Sequence, residues 1–367
     1  MTRIFLLGGR GGGGEEVFVR DLAAHPPQGV TYDLALDHHE SVSSAQALTW
    51  REVAFNRIVH PPLRPLFGLR AYRIDPSVDL VHVHNAATWL QLPTGRPVVY
   101  SVGGSGYPHY LETYLGWSEE RIRALYDRAR SRFRRFGVRS EVATPERINA
   151  VVVFSRFAAD HLARYGVPAG KIRVIPPGFR IPPGGGGGGS AGDPCTFLLV
   201  GRDPPRKGVD TAVEAIRALA ARGVPVRLWL VGDQAYPSMT DGGLVQGWGP
   251  VPRDRLFSDF YRAADAVLVP SRAEGFGFAA VEAMGHGKAV IASRRDALPE
   301  ILGDGGLLVE PGDPRALAEA MEALTLDPAL RGSLGRAGAE RFSATYELGR
   351  VQALWTRLYR DVMAGRP

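Results

Sequence analysis

Ala266-Val-Leu-Val-Pro-Ser-Arg-Ala-Glu-Gly-Phe-Gly-Phe-Ala-Ala-Val-Glu-Ala-Met-Gly-His-Gly287 reads as a buried strand, a glycine turn and the opening of a helix. Gly275 and Gly277 let the backbone come close to a ligand. The first N–H groups of the helix, from Gly275 through Phe276 and Gly277 to Phe278, lack intrahelical acceptors and carry the positive end of the dipole. Such a tip binds anions. Glu274 stands just before it and Glu282 within the helix, where each can accept sugar or ribose hydroxyls. Their plainer roles are a stabilising carboxylate at a helix start and a solvated helical residue.

Upstream, Phe197-Leu-Leu-Val-Gly-Arg-Asp-Pro-Pro-Arg-Lys-Gly-Val-Asp210 repeats the strand, turn and helix order. Arg202 sits at the strand's carboxyl end and Lys207 five residues on. Ligands of open α/β sheets bind beyond the carboxyl ends of strands. Two cations there suit a diphosphate, each charged hydrogen bond contributing roughly 1.5–3 kcal/mol. Alone, this segment would read as a solvated basic loop; with the Glu274–Glu282 segment it reads as a nucleotide site.

The same alternation runs along all 367 residues. Candidate strands in the first half are 3–7, 31–36, 57–60, 80–84, 98–102, 150–154 and 172–175. In the second half they are 196–200, 227–231, 266–269, 289–292 and 307–309. Parallel α/β architecture follows from strands alternating with helices. Between the halves, six consecutive glycines at 184–189 cannot pack, so 182–192 is expected to be a linker. The expected division is a first Rossmann-like domain at 1–181 on the acceptor side and a second at 193–345 on the donor side. A final helical segment at 346–367 carries Leu348, Val351, Trp355, Leu358 and Val362 on one face; it is expected to cross back to the first domain, the alternative being a helix that closes the second. Two such halves imply a cleft, where small ligands bind.

With 45% hydrophobic and 22% charged residues and a net charge of +6, the chain has the composition of a globular protein suited to anionic partners. Its single cysteine excludes an intrachain disulfide and thiol–metal clusters. The four apolar residues before Gly8 are too few for a signal-peptide core, and no apolar run approaches the roughly 18 residues of a membrane span. A cytoplasmic location is the expectation. Among 121–139 are eight arginines over an apolar stripe of Ile122, Leu125, Tyr126, Ala129, Phe133 and Phe136. A solvated face is the first reading and peripheral contact with an anionic membrane the second; without a recognised motif, nucleic acid is not expected.

Gly201-Arg202 with Lys207-Gly208, Pro270-Ser271, Glu274-Gly-Phe-Gly, Glu282-Ala-Met284, Gly287, Val290-Ile-Ala-Ser293 and Pro299-Glu-Ile301 resemble the retaining glycosyltransferases of family 4, of GT-B fold. Weaker agreement comes from the glycine-rich first loop, Asp79-Leu-Val-His-Val-His-Asn85, Phe154-Ser155 and Lys171-Ile-Arg-Val-Ile-Pro-Pro-Gly178. The resemblance implies that Arg202, Lys207 and the backbone of 275–278 hold the donor's diphosphate, Glu282 the ribose and Glu274 the sugar. It implies transfer of a hexose from a UDP-, GDP- or ADP-sugar to a saccharide or lipid-linked acceptor, with retention and with no metal or other cofactor. No Asp-x-Asp occurs in the sequence. The family's histidine after the fifth-listed strand is replaced by Gly103, and its asparagine near the end of the first domain by Pro177. His109, six residues beyond Gly103, is expected in a loop, either without a role or on the acceptor or phosphate side with Gly13, Gly14 and Glu15.

Two other readings compete. Gly9-Arg-Gly-Gly-Gly-Gly14 satisfies G-x-G-x-x-G, with Asp33 and Asp37 about 20 residues on, as in NAD-dependent oxidoreductases. The glycosyltransferase reading instead uses Gly13, Gly14 and Glu15 near acceptor or phosphate. A non-catalytic sugar-nucleotide-binding protein on the same fold is the other. His82 and His84 share a strand face but lack a third metal ligand, so no metal site is expected. Replacing Arg202 or Lys207 by alanine is expected to weaken nucleotide binding far more than folding.

Overall fold

The computed structural model describes residues 1–8, 14–36, 45–47, 69–84, 88–91, 95–104, 106–136, 138–139, 142, 145–181 and 194–366. Gly13, Asp37, the strand expected at 57–60 and the linker expected at 182–192 lie outside them. The chain divides into two units, Met1–Gly178 with Val351–Pro367, and Phe179–Arg350.

The first unit carries β1 (Thr2–Gly8), β2 (Val30–Leu36), β3 (Ala45–Ala47), β4 (Leu69–Ile74), β5 (Leu80–His84), β6 (Thr88–Gln91), β7 (Val98–Val102), β8 (Val138–Arg139), β9 (Ala150–Val153) and β10 (Ile172–Val174). Its main sheet runs β10-β9-β7-β5-β1-β2, every pairing parallel; β3-β4-β6-β8 form a small mixed sheet. β5, β7 and β9 are buried along their whole length. Such apolar runs need helices on both faces, as a parallel sheet provides. The helices described are α1 (Gly14–Ala24), α2 (Gly106–Leu115), α3 (Glu119–Phe136) and α4 (Arg156–Arg164). Ser155 caps α4 by accepting the N–H of Ala158 at 3.1 Å.

The second unit holds β11 (Cys195–Val200), β12 (Val226–Val231), β13 (Val245–Trp248), β14 (Ala266–Val269), β15 (Ala289–Ser293) and β16 (Gly306–Val309). Their order is β13-β12-β11-β14-β15-β16, again all parallel. The helices include α5 (Pro204–Lys207), α6 (Val209–Ala221), α7 (Phe278–Gly285), α8 (Leu298–Leu302), α9 (Pro314–Leu326) and α10 (Pro328–Thr345). Phe197, Leu199, Leu228 and Leu230 of the sheet pack with Ile216 and Leu219 of α6 and Leu317 and Met321 of α9. Each such side chain stabilises the unit by roughly 1.5–3 kcal/mol.

α11 (Leu348–Met363) belongs to the first unit from Val351 onward. Trp355 lies on the ring of His82, centroids 4.9 Å apart, and Gln352 Nε2 donates to His25 O at 2.9 Å. The strands expected at 80–84, 98–102 and 266–269 have the observed bounds, and the other described ones start or stop within a residue. β13 was missed because Val245-Gln-Gly-Trp is an edge strand, with a polar residue and a glycine in place of an apolar run.

Candidate donor site

From β11 the chain moves outward to β12 and β13, then returns to β14 on β11's other side. β11 and β14 therefore flank a topological switch point, and the loops leaving their carboxyl ends border the crevice where α/β sheets take ligands. Those loops are 201–208 and 270–277. Gly208 has φ +68°, and a Cβ there would stand 2.2 Å from Pro270 O. Gly201 has φ +149°, and its Cβ would stand 2.7 Å from Lys207 Cε. Glycine at both places lets the first loop fold against the second and Lys207 fold back across its own turn. Arg272 N donates to Arg206 O at 2.8 Å, and Arg206 Nη1 to Ala273 O at 3.3 Å, closing the seam.

Lys207 Nζ donates to Glu274 Oε2 at 2.5 Å, and Ser271 Oγ donates to the same oxygen at 3.0 Å. Arg206 Nη1 stands 4.0 Å away. Lys207 is 9% and Glu274 7% exposed. Burial by itself raises the Glu274 carboxyl, but the charges of Lys207 and Arg206, with hydrogen bonds from Lys207 and Ser271, outweigh it and hold it below the ordinary value. The sequence assigned the lysine to phosphate and the carboxylate to sugar as separate ligands. The structure joins them in one ion pair. Ser271 and Arg206 were not recognised as its partners: Ser271 reaches Glu274 from three residues back in the same loop, and Arg206 only because the two loops meet.

α7 starts beyond Gly277, which holds φ +100° and gives the helix no side-chain cap. Gly275 and Phe278 are half-buried, Phe276 and Gly277 buried. Glu282 is buried rather than solvated: Tyr261 Oη donates to its Oε2 at 2.9 Å, and Arg253 Nη2 lies 3.7 Å from its Oε1. The ring of His286 stacks on Tyr261, centroids 5.0 Å apart. Arg202 is exposed at the end of β11. The N–H groups of Ala235 and Asp203, and then the charge of Arg202, hold the neighbouring Asp233 carboxyl below its usual range.

In the first unit the switch point falls between β1 and β5. Gly14 and Glu15 open α1 just past it. His109 lies in α2, buried, with its ring edge-on to Phe157 and His161 of α4; a loop position was expected. His82 and His84 are buried and share Ser101 Oγ, at 2.7 Å from His82 Nε2 and 2.8 Å from His84 Nδ1. His82 Nδ1 meets Tyr359 Oη at 2.8 Å, which meets Tyr32 Oη at 2.9 Å. No cluster of three or more metal-ligating side chains occurs among the described residues. Along α3, Arg121 stacks on Trp117, and Arg123, Arg130 and Arg134 pair with Glu119, Asp127 and Glu146. Among the described residues no helix is long and apolar enough to cross a membrane.

Two Rossmann-like units, one bearing a cation-lined switch point, define the GT-B class. Residues 194–327 match the family of glycosyl transferases group 1, and residues 12–181 that of glycosyltransferase family 4. A D-inositol 3-phosphate glycosyltransferase of Saccharomonospora viridis is 31% identical over 321 residues, covering 80% of this chain and 72% of that one. A second, of Acidothermus cellulolyticus, is 34% identical over 229 residues, 55% of this chain; the match spans only 50% of that relative's length. In fold the chain is similar to sucrose-phosphate synthase from Thermosynechococcus elongatus, with TM-score 0.68 and 22% identity over 99% of this chain and 100% of that one. It is similar also to Anabaena HepE, solved in complex with UDP and glucose, with TM-score 0.67 and 18% identity over 98% and 100%. The chain belongs to the family 4 glycosyltransferases.

Proposed function

We propose that the chain transfers a hexose from a nucleoside-diphosphate sugar to a saccharide or lipid-linked acceptor, with retention of anomeric configuration and without a metal ion. The observation that supports this is the buried Lys207–Glu274 pair beside the uncapped start of α7 at the switch point. In this reading Lys207 and Arg202 meet the diphosphate, joined by the N–H groups of 275–278. Glu282, held by Tyr261, accepts the ribose hydroxyls, and Glu274 those of the sugar. As the bond from the anomeric carbon to the phosphate oxygen breaks, negative charge grows on the leaving diphosphate, and these fixed donors stabilise it. The acceptor hydroxyl attacks from the same face and passes its proton to the departing phosphate oxygen. Gly14, Glu15 and the loop that includes Gly13 serve the acceptor or phosphate side, and 182–192 is the linker between the domains.

A panel of UDP-, GDP- and ADP-sugars, run with and without excess EDTA, tests the proposal. The names of the relatives make D-inositol 3-phosphate the first acceptor to try. Transfer with the starting anomeric configuration, read by NMR and undiminished by EDTA, is expected. Inversion or strict dependence on a divalent ion refutes the mechanism. Donor binding without transfer or hydrolysis points to a non-catalytic binder, and binding of NAD in place of sugar nucleotides to the oxidoreductase.

A further inference from the structure

Asp296, in the loop after β15, has φ +50°. This left-handed backbone is strained for residues with a side chain, less so for Asp and Asn than for others, and glycine would adopt it without strain. Among the described residues only Asp203 shares it outside glycine. The loop is tightly closed, with Arg295 N donating to Ser293 O at 2.8 Å and Leu298 N to Arg295 O at 3.0 Å. Asp296 Oδ2 accepts the backbone N–H of Glu274 at 2.9 Å, and Oδ1 lies 3.4 Å from Arg295 Nε. Two residues further, Leu298 lies so close to Gly277 that a Cβ there would stand 2.8 Å from its Cδ2. One loop thus grips both ends of the turn at 274–277, by a hydrogen bond to Glu274 and by van der Waals contact at Gly277. That turn presents the Glu274 carboxylate at one end and the start of α7 at the other.

We propose that Asp296 is a positioning residue, fixing Glu274 and, through it, the ammonium of Lys207. Strain kept where glycine would remove it marks the carboxylate as the needed part. The catalytic consequence rests on the glycosyl-transfer reading; the contact itself does not.

Two variants separate position from fold. D296G relaxes the backbone and removes the carboxylate. D296N keeps an acceptor oxygen and tolerates the left-handed region. Expected for D296G are a melting temperature at or above that of the parent, at least tenfold faster hydrogen exchange at the Glu274 amide, and kcat for donor turnover down at least tenfold. UDP affinity should stay within threefold, and D296N should restore exchange and kcat to within threefold of the parent. Parental exchange at Glu274 in D296G overturns the contact, and a parental kcat alongside faster exchange overturns the catalytic role. If exchange quickens but the parent turns over no sugar nucleotide, the glycosyl-transfer reading has failed and the positioning contact stands.

Discussion

The two units each place a buried polar cluster at or under a switch point, and the clusters differ in charge. In the second unit Lys207 and Glu274 form an ion pair, joined by a hydrogen bond from Ser271, beside a helix start with no side-chain cap. In the first, Tyr32, Tyr359, His82, Ser101 and His84 form a neutral chain roofed by Trp355 of α11. Burial drives the two histidines to the neutral state, His82 well below its ordinary value and His84 down to about 3. The ammonium of the charged pair has three N–H donors, of which the bond to Glu274 uses one. The neutral chain ties α11 through Tyr359 to β2, β5 and β7, and leaves His84 Nε2 buried without a hydrogen-bond partner among the described residues. The same fold therefore places a charged pair at one switch point and a hydrogen-bonded seam under the other.

Removing Lys207 should break this contrast most strongly. The sequence suggested that its loss would spare folding; the ion pair revises that, because Lys207→Ala strands a buried carboxylate, at a cost of about 3–5 kcal/mol. Affinity for UDP should fall as well, by roughly 10–100-fold, from the lost charged hydrogen bond. Arg202→Ala, at an exposed site, should lose comparable affinity and keep its melting temperature. Calorimetric melting and titration with UDP check both, and a Lys207→Ala variant as stable as the parent would show the pair to be idle.

Acid should separate the units next. His82 and His84 titrate near 6.5 when unfolded and lower when folded, so their contribution is complete above pH 6.5 and drains as pH falls towards 3. The loss is roughly 1.4 kcal/mol per pH unit for each histidine, or about 3 kcal/mol for the pair at pH 5.5. Glu274, lowered by folding from 4.5, gives up its share only below that value. Hydrogen exchange at pH 5.5 should therefore quicken in α11 before it does in β11 and β14; simultaneous loss below pH 4.5 would contradict the assignment.

Tyr359→Phe sharpens the comparison with the smallest effect. It removes the hydroxyl between His82 and Tyr32 and should destabilise the first unit by roughly 1–2 kcal/mol, leaving UDP affinity unchanged. A shift in UDP affinity of more than threefold would mean that the neutral cluster is not merely a seam.

The alternation of apolar runs with helical stretches determined the parallel sheets, because a strand covered on both faces is mostly apolar and its few polar residues must find partners inside. Local chemistry also placed Arg202, Lys207, Glu274 and the glycine turn at strand ends, since turn and helix-start signals act over a few residues. Partnership was illegible. That Lys207 meets Glu274 across 67 positions, that Tyr261 holds Glu282, or that Tyr359 reaches His82 depends on which strands become neighbours. Strand order is set by the packing of the whole unit, and no window of sequence contains it.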